Sequence, residues 1–198
     1  MLDNLKKYNI ILASGSPRRK QLLEGLGIEF SQHVLRNIDE SFPDTLLAEE
    51  VAQFIAHKKS EAYLKDMADN DLVITADTIV VADGGCGRNV ILGKPHERSE
   101  AVAMLRMLSN KTHKVITGCC IVTKDRQRVF SVSTEVTFKQ LSDEEIEYYV
   151  DTFRPYDKAG AYGVQEWIGY IGVTGLSGSY FNVMGFPIQR VYTELAEF

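Results

Sequence analysis

Apolar positions fall at two different spacings along the chain, and the changes of spacing mark out its elements. Residues 10–13, Ile-Ile-Leu-Ala, are a short apolar run ending in Ser14-Gly15-Ser16, which predicts a buried strand followed by a tight turn. From Pro17 the interval lengthens, with Leu22, Leu23 and Leu26 at helical spacing and Gly27 as the stop. Residues 29–35 have the mixed polarity of a second strand, and residues 37–44 form an acidic loop. A long helix is expected over residues 46–67, with Leu47, Val51, Phe54, Ile55, Ala62 and Leu64 as its apolar stripe.

Residues 72–76, Leu-Val-Ile-Thr-Ala, read as a strand buried on both faces. The pattern predicts a break at Asp77-Thr78 and a resumption as Ile79-Val80-Val81. A glycine-rich hairpin tip over residues 83–89, which includes Cys86, leads to a return strand at residues 90–92 and to Gly93-Lys94-Pro95. Ser99 would cap a helix over residues 100–108. Residues 115–122 and 129–138 alternate like an antiparallel pair. Ser142 and Glu145 form a capping box for a helix to about residue 151. Glycine-rich irregular chain is expected over residues 159–185, around a short strand near residues 168–173. The alternation of strands and helices predicts an α/β fold with α+β character and a mixed sheet.

Composition narrows the function classes. At 198 residues, 44% hydrophobic and 25% charged, the chain is an ordinary globular sequence. A net charge of −5 argues against broad nucleic-acid binding, so a polyanion would have to meet a local basic cluster. No apolar run approaches the ~18 residues of a membrane span, and the N-terminus lacks a signal-peptide core. Three cysteines, two of them adjacent, make a poor disulfide framework and fit a reducing, cytoplasmic setting.

The candidate chemistry sits in four places. At Ser14-Gly15-Ser16-Pro17-Arg18-Arg19-Lys20, backbone N–H groups, hydroxyls, a helix N-terminus and guanidinium groups suit a multiply charged anion such as phosphate. A basic run on a surface helix would look the same. Asp77 follows a buried strand, where open α/β sheets place ligands, although turn-capping aspartates are also common there. Lys94 lies across a hairpin from Asp77. In Lys158-Ala-Gly-Ala-Tyr-Gly-Val-Gln165, small residues allow close approach to a flat ligand, and Gln165 offers both a donor and an acceptor for a base edge. Glu40 and Lys59 are unremarkable singly, and the four histidines have no metal-ligand spacing. Any metal would be magnesium or manganese, on oxygen ligands and bound phosphate.

Together, Ser14–Arg19, Ala76-Asp77-Thr78, Gly93-Lys94-Pro95, residues 158–165 and the segment Gly178-Ser-Tyr-Phe-Asn-Val-Met-Gly-Phe-Pro187 resemble the Maf family of nucleoside triphosphate pyrophosphatases. The resemblance runs from about residue 10 to residue 195. It implies a single domain over residues 1–198 with a Maf/ITPase-like mixed curved sheet, flanking helices and a deep cleft between two lobes. It also implies hydrolysis of a nucleoside triphosphate to the monophosphate and pyrophosphate with a divalent cation, and a possible homodimer. By the same resemblance Asp77 is the general base and Ser14, Arg18, Lys59 and Lys94 hold the triphosphate. Glu40 joins Asp77 at the metal. Arg18, Thr78 and Gln165 look like the set of the branch acting on dTTP and UTP, not the one acting on 7-methyl-GTP. A nucleotide-binding regulator of cell division with little hydrolysis is the rival reading. No nucleic-acid or membrane partner is expected.

Overall fold

The computed structural model describes residues 2–85 and 88–198; Cys86, in the expected hairpin tip, lies outside the described residues. Seven strands form a mixed sheet: β1 (Asn9–Leu12), β2 (Ser31–Gln32), β3 (Asp71–Asp83), β4 (Asn89–Leu92), β5 (Thr112–Val122), β6 (Gln127–Phe138) and β7 (Val173–Ser177). Their order is β2-β1-β3-β5-β6-β7, with β4 paired to β3. The helices are α1 (Pro17–Glu24), α2 (Ala48–Glu61), α3 (Arg98–Leu108), α4 (Asp143–Phe153), α5 (Trp167–Gly172), α6 (Tyr180–Val183) and α7 (Ile188–Ala196). The expected mixed α/β architecture is therefore present. The chain divides into two compact units, one of Met1–Asp77, Thr117–Val132 and Gly185–Phe198, the other of Thr78–Ile116 and Ser133–Met184.

In the first unit β1 runs parallel to both β2 and β3, with Asn9–Leu12 opposite Asp71–Ile74. Strand parity sorts its core. Leu72, Ile74 and Ala76 pack on one face with Leu23 of α1 and Val191 and Leu195 of α7. Val73 packs on the other face with Ala56 of α2, Tyr63 and Met67. Because side chains alternate along a strand, Thr75 and Asp77 share the α2 face with Val73. In the second unit one apolar cluster joins Val80 and Ala82 of β3, Leu105 and Leu108 of α3, Ile146 and Tyr149 of α4, and Ala161, Tyr162 and Val164 of the connecting loop.

Several sequence expectations need correction. β3 is continuous through Asp77-Thr78 and does not break there. The polar pair interrupts the apolar pattern without interrupting the backbone. The second strand shrinks to Ser31–Gln32, the length over which it pairs with Ile11 and Leu12. The long helix ends at Glu61, with Lys58 and Lys59 in its last turn, where cations complement the helix dipole. Ser99 lies inside α3, whose N-cap is Glu97. The strand expected near residues 168–173 is instead α5, and β7 starts only at Val173. In α5 Gly169 backs onto the Val164 carbonyl so closely that a Cβ there would lie 1.9 Å from its oxygen. Residues 159–185, expected to be mostly irregular, also hold α6, and the C-terminal α7 completes the first core. The α4 capping box forms as read: Glu145 N–H donates to Ser142 Oγ at 3.2 Å and Ser142 N–H to Glu145 Oε2 at 3.0 Å.

Candidate active site

The first unit gathers several candidate residues at the carboxyl end of the β1 and β3 parallel pair. Ala13 N–H donates to Ile74 C=O at 2.9 Å, after which β1 leaves for its turn and β3 runs on through Asp77. The turn has the form its residues dictate. Ser16 is the N-cap of α1, its Oγ accepting from Arg19 N–H at 3.4 Å, and Pro17 takes the first helical position. Ser14 is buried, and its Oγ accepts from Ser16 N–H and from Arg19 Nη1, both at 3.3 Å. Two donors on the oxygen direct the hydroxyl's own proton outward, toward an acceptor such as a phosphate oxygen.

Arg19 ties this turn to β3. Its Nη1 donates to the Ala76 carbonyl at 2.8 Å, directly before Asp77, and its Nε to the Gly185 carbonyl at 2.8 Å. Burial pushes the Arg19 pKa down, and the Asp77 carboxylate is the leading opposing influence. The basic run left open whether Arg19 meets an anion or solvent; it stands at i, i+3, i+4 and i+7 with Leu22, Leu23 and Leu26. That spacing turns it inward with the apolar stripe.

Lys59 is the other organiser. Its Nζ lies 2.7 Å from Asp77 Oδ1 and 3.0 Å from Glu40 Oε1. Only 14% of the Lys59 side chain and 12% of the Asp77 side chain is exposed, against 50% for Glu40, so Glu40 forms the solvent-facing side of the group. The preceding Lys58 donates to Asp39 Oδ2 at 2.7 Å and to the Ser41 carbonyl at 3.0 Å. Its hydrogen bond holds the Asp39 carboxyl well below the usual range. Two consecutive lysines thus fasten the acidic loop to the end of α2.

The register of α2 on the sheet fixes where Lys59 reaches. Thr75 Oγ1 donates to the Ala56 carbonyl at 2.6 Å. Gly118 of β5 lets the helix backbone come close, since a Cβ there would lie 2.2 Å from the carbonyl carbon and oxygen of Ala52. Lys59, three residues beyond Ala56, therefore meets Asp77, two residues beyond Thr75 and on the same face of β3.

The second unit carries the remaining sequence candidates. Lys94 is exposed and follows Gly93, whose carbonyl accepts from Gly160 N–H at 3.0 Å. Gly160, at φ +68°, packs on Val80, where an added Cβ would stand 2.9 Å from Cγ2. Val80 is two residues from the half-buried Thr78 and on its face of β3. The unit thus sets Lys94 beside the start of the Lys158–Gln165 loop, which itself rests on β3 close to Thr78. At the far end of that loop Gln165 Oε1 is buried without a hydrogen-bond partner. Arg18, the remaining candidate, is half-buried in the first turn of α1.

Residues 9–198 match the family model of the Maf-like proteins. The chain belongs to the Maf family. Among relatives of this Maf chain, the dTTP/UTP pyrophosphatase of Phocaeicola vulgatus is 60% identical over 195 residues, covering 98% of both chains. That of Parabacteroides distasonis is 56% identical over the whole of both chains. That of Flavobacterium psychrophilum is 47% identical over 94% of this chain and 92% of its own. Among the described residues, no helix of this Maf protein is long and apolar enough to cross a membrane.

Proposed function

We propose that this Maf protein hydrolyses dTTP and UTP to the nucleoside monophosphate and pyrophosphate. One observation carries the reading. The first unit places a buried carboxylate, Asp77, on the ammonium of Lys59, with the helix-capped Ser14–Ser16 turn joined to the same strand end by Arg19. A bare anion site gains nothing from a buried carboxylate, whereas hydrolysis of an anhydride needs a base for water beside groups that neutralise phosphate. The names of the full-length relatives support dTTP and UTP as substrates.

In this reading the Ser14 hydroxyl, the α1 N-terminus, Arg18, Lys59 and Lys94 bind the triphosphate. Asp77 accepts a proton from the water that attacks the α-phosphorus, the bond to the α,β-bridging oxygen breaks, and pyrophosphate leaves. Thr78 and Gln165 read the base, with Arg18 contributing to the choice of substrate.

Glu40 and Asp77 suit a hard divalent cation, because one oxygen of each converges on a single positive point, now the Lys59 ammonium. Among the described residues no group of three or more His, Cys, Asp or Glu side chains gathers, so two carboxylates and the substrate phosphates would hold magnesium or manganese. Such an ion supplies charge neutralisation on the phosphates. The unbridged, buried thiols of Cys119 and Cys120 support a reducing compartment, the cytoplasm.

The test is product identification. Purified protein with magnesium and UTP, dTTP, CTP or 7-methyl-GTP should release pyrophosphate with UMP or dTMP as the main products. Release of orthophosphate, or no pyrophosphate from any of the four, would overturn the assignment.

A further inference from the structure

The loop from Lys158 to Glu166 is held by a set of contacts that the reading above leaves without a role. The Glu166 carboxylate spans it. One oxygen, Oε1, lies 3.0 Å from the buried ammonium of Lys158 at the start of the loop. The other, Oε2, accepts from the hydroxyl of Tyr149 on α4, whose ring is fully buried. The same hydroxyl accepts from Gly163 N–H at 3.0 Å, pinning the middle of the loop. Burial and the adjoining carboxylate both raise the Tyr149 pKa, which keeps the hydroxyl protonated as the donor this arrangement needs.

Gly163 shows why these contacts bear on Gln165. A Cβ at Gly163 would stand 2.9 Å from Glu166 Cδ and 3.1 Å from Gln165 Nε2, so the carboxylate and the neighbouring amide lie together over a residue without a side chain. The Gln165 main chain is fixed as well, its carbonyl accepting from Tyr170 hydroxyl at 2.6 Å. Glu166 N–H donates to the Gly163 carbonyl at 3.0 Å, closing a turn around Gln165. The outcome is a glutamine whose Oε1 is buried and unpartnered, an arrangement that leaves a hydrogen-bond acceptor for a ligand. Uracil and thymine carry an N–H donor at ring position 3, and cytosine does not.

We propose that Glu166 is a positioning residue for base selection, forming with Lys158 and Tyr149 a clasp that fixes the side chain of Gln165 as an acceptor. The inference rests on the reading of Gln165 as the base-contacting residue. Glu166 touches neither base nor phosphate in this scheme. Loosening the clasp lets the Gln165 amide turn, so that discrimination is lost before turnover is.

The experiment compares kcat/KM for UTP and CTP in the wild type and in Gln165→Ala, Glu166→Gln and Tyr149→Phe, with thermal unfolding recorded for each. Gln165→Ala should abolish most of the UTP preference. Glu166→Gln and Tyr149→Phe should each lower the UTP-to-CTP ratio roughly tenfold, mainly through the KM for UTP with kcat nearly kept. The double variant should do little more than either single one, because both act through one clasp. Tyr149→Phe keeps the ring and carries the same test if Glu166→Gln does not fold. An unchanged ratio in the clasp variants while Gln165→Ala loses preference, or an equal fall for both nucleotides, would overturn the clasp alone. An unchanged ratio in Gln165→Ala would overturn the base-reading role first, and the clasp with it.

Discussion

Lys59 and Asp77 meet at 2.7 Å because two separate contacts set helix α2 in register on the sheet. The Thr75 hydroxyl fixes the height of the helix at the Ala56 carbonyl, and Gly118 fixes its closeness at Ala52. The ion pair is therefore a consequence of packing, and the charged group can be perturbed from either end.

Removing the charge of Asp77 separates chemistry from binding. Asp77→Asn keeps the shape and an acceptor for Lys59, and leaves Ser14, Arg18 and Lys94 untouched. Turnover of UTP should fall by about a thousandfold or more, with KM changed only a few-fold. Steady-state pyrophosphate release checks this, and a variant with normal kcat would remove Asp77 from the role of base.

Lys59→Met should act on stability as well as on activity. It leaves the largely buried Asp77 carboxylate without its ammonium, and breaking such a pair on one side costs about 3 kcal/mol. The double variant Lys59→Met/Asp77→Asn should recover much of that loss, although it remains inactive. Urea unfolding of the two variants and the wild type gives the comparison. Equal destabilisation in single and double variants would mean that the pair is not what holds α2 there.

The sequence pattern made parts of this site legible and hid others for physical reasons. Ser16 and Pro17 punctuate a helix start by local chemistry, so that turn could be read directly. Arg19 and Lys59 looked like surface charges, yet each continues a buried helical stripe: Arg19 with Leu22, Leu23 and Leu26, and Lys59 with Ala52, Ile55 and Ala56. A charge in such a stripe turns inward and needs partners, but those partners come from remote strands that local spacing does not reveal. Asp77-Thr78 interrupts the apolar run and so predicts a break in β3, whereas a strand needs only extended backbone and paired edges. Residues 168–173 carry apolar side chains that suit strand or helix, and the close approach of Gly169 to the Val164 carbonyl depends on how the chain turns into α5, which periodicity cannot show.

Gly118→Ala tests the packing that sets the ion pair. The new Cβ would lie 2.2 Å from the Ala52 backbone and 2.5 Å from Gln53 N, and backbone cannot move aside as a flexible side chain can. The helix must shift, costing about 3 kcal/mol or more. Turnover should fall together with stability, since the shift carries Lys59 away from Asp77. Wild-type unfolding and activity in this variant would show that α2 tolerates displacement.

The remaining prediction concerns acid. His113 is 3% exposed, its Nε2 shares a 2.7 Å hydrogen bond with the Tyr162 hydroxyl, and its Nδ1 has no partner. Burial lowers its pKa from the ordinary 6.5 to about 4. A histidine lowered in the folded state takes up its proton first in the unfolded chain. Its stabilising contribution is thus complete above pH 6.5 and is lost as pH falls from 6.5 toward 4. The size is about 2–3 kcal/mol over that window. His113→Gln keeps a polar partner for Tyr162 and removes the titration. Urea unfolding at pH 7.5 and pH 4.5 should therefore show a smaller acid-induced loss in the variant than in the wild type. Equal losses would assign the acid sensitivity of the fold to other groups.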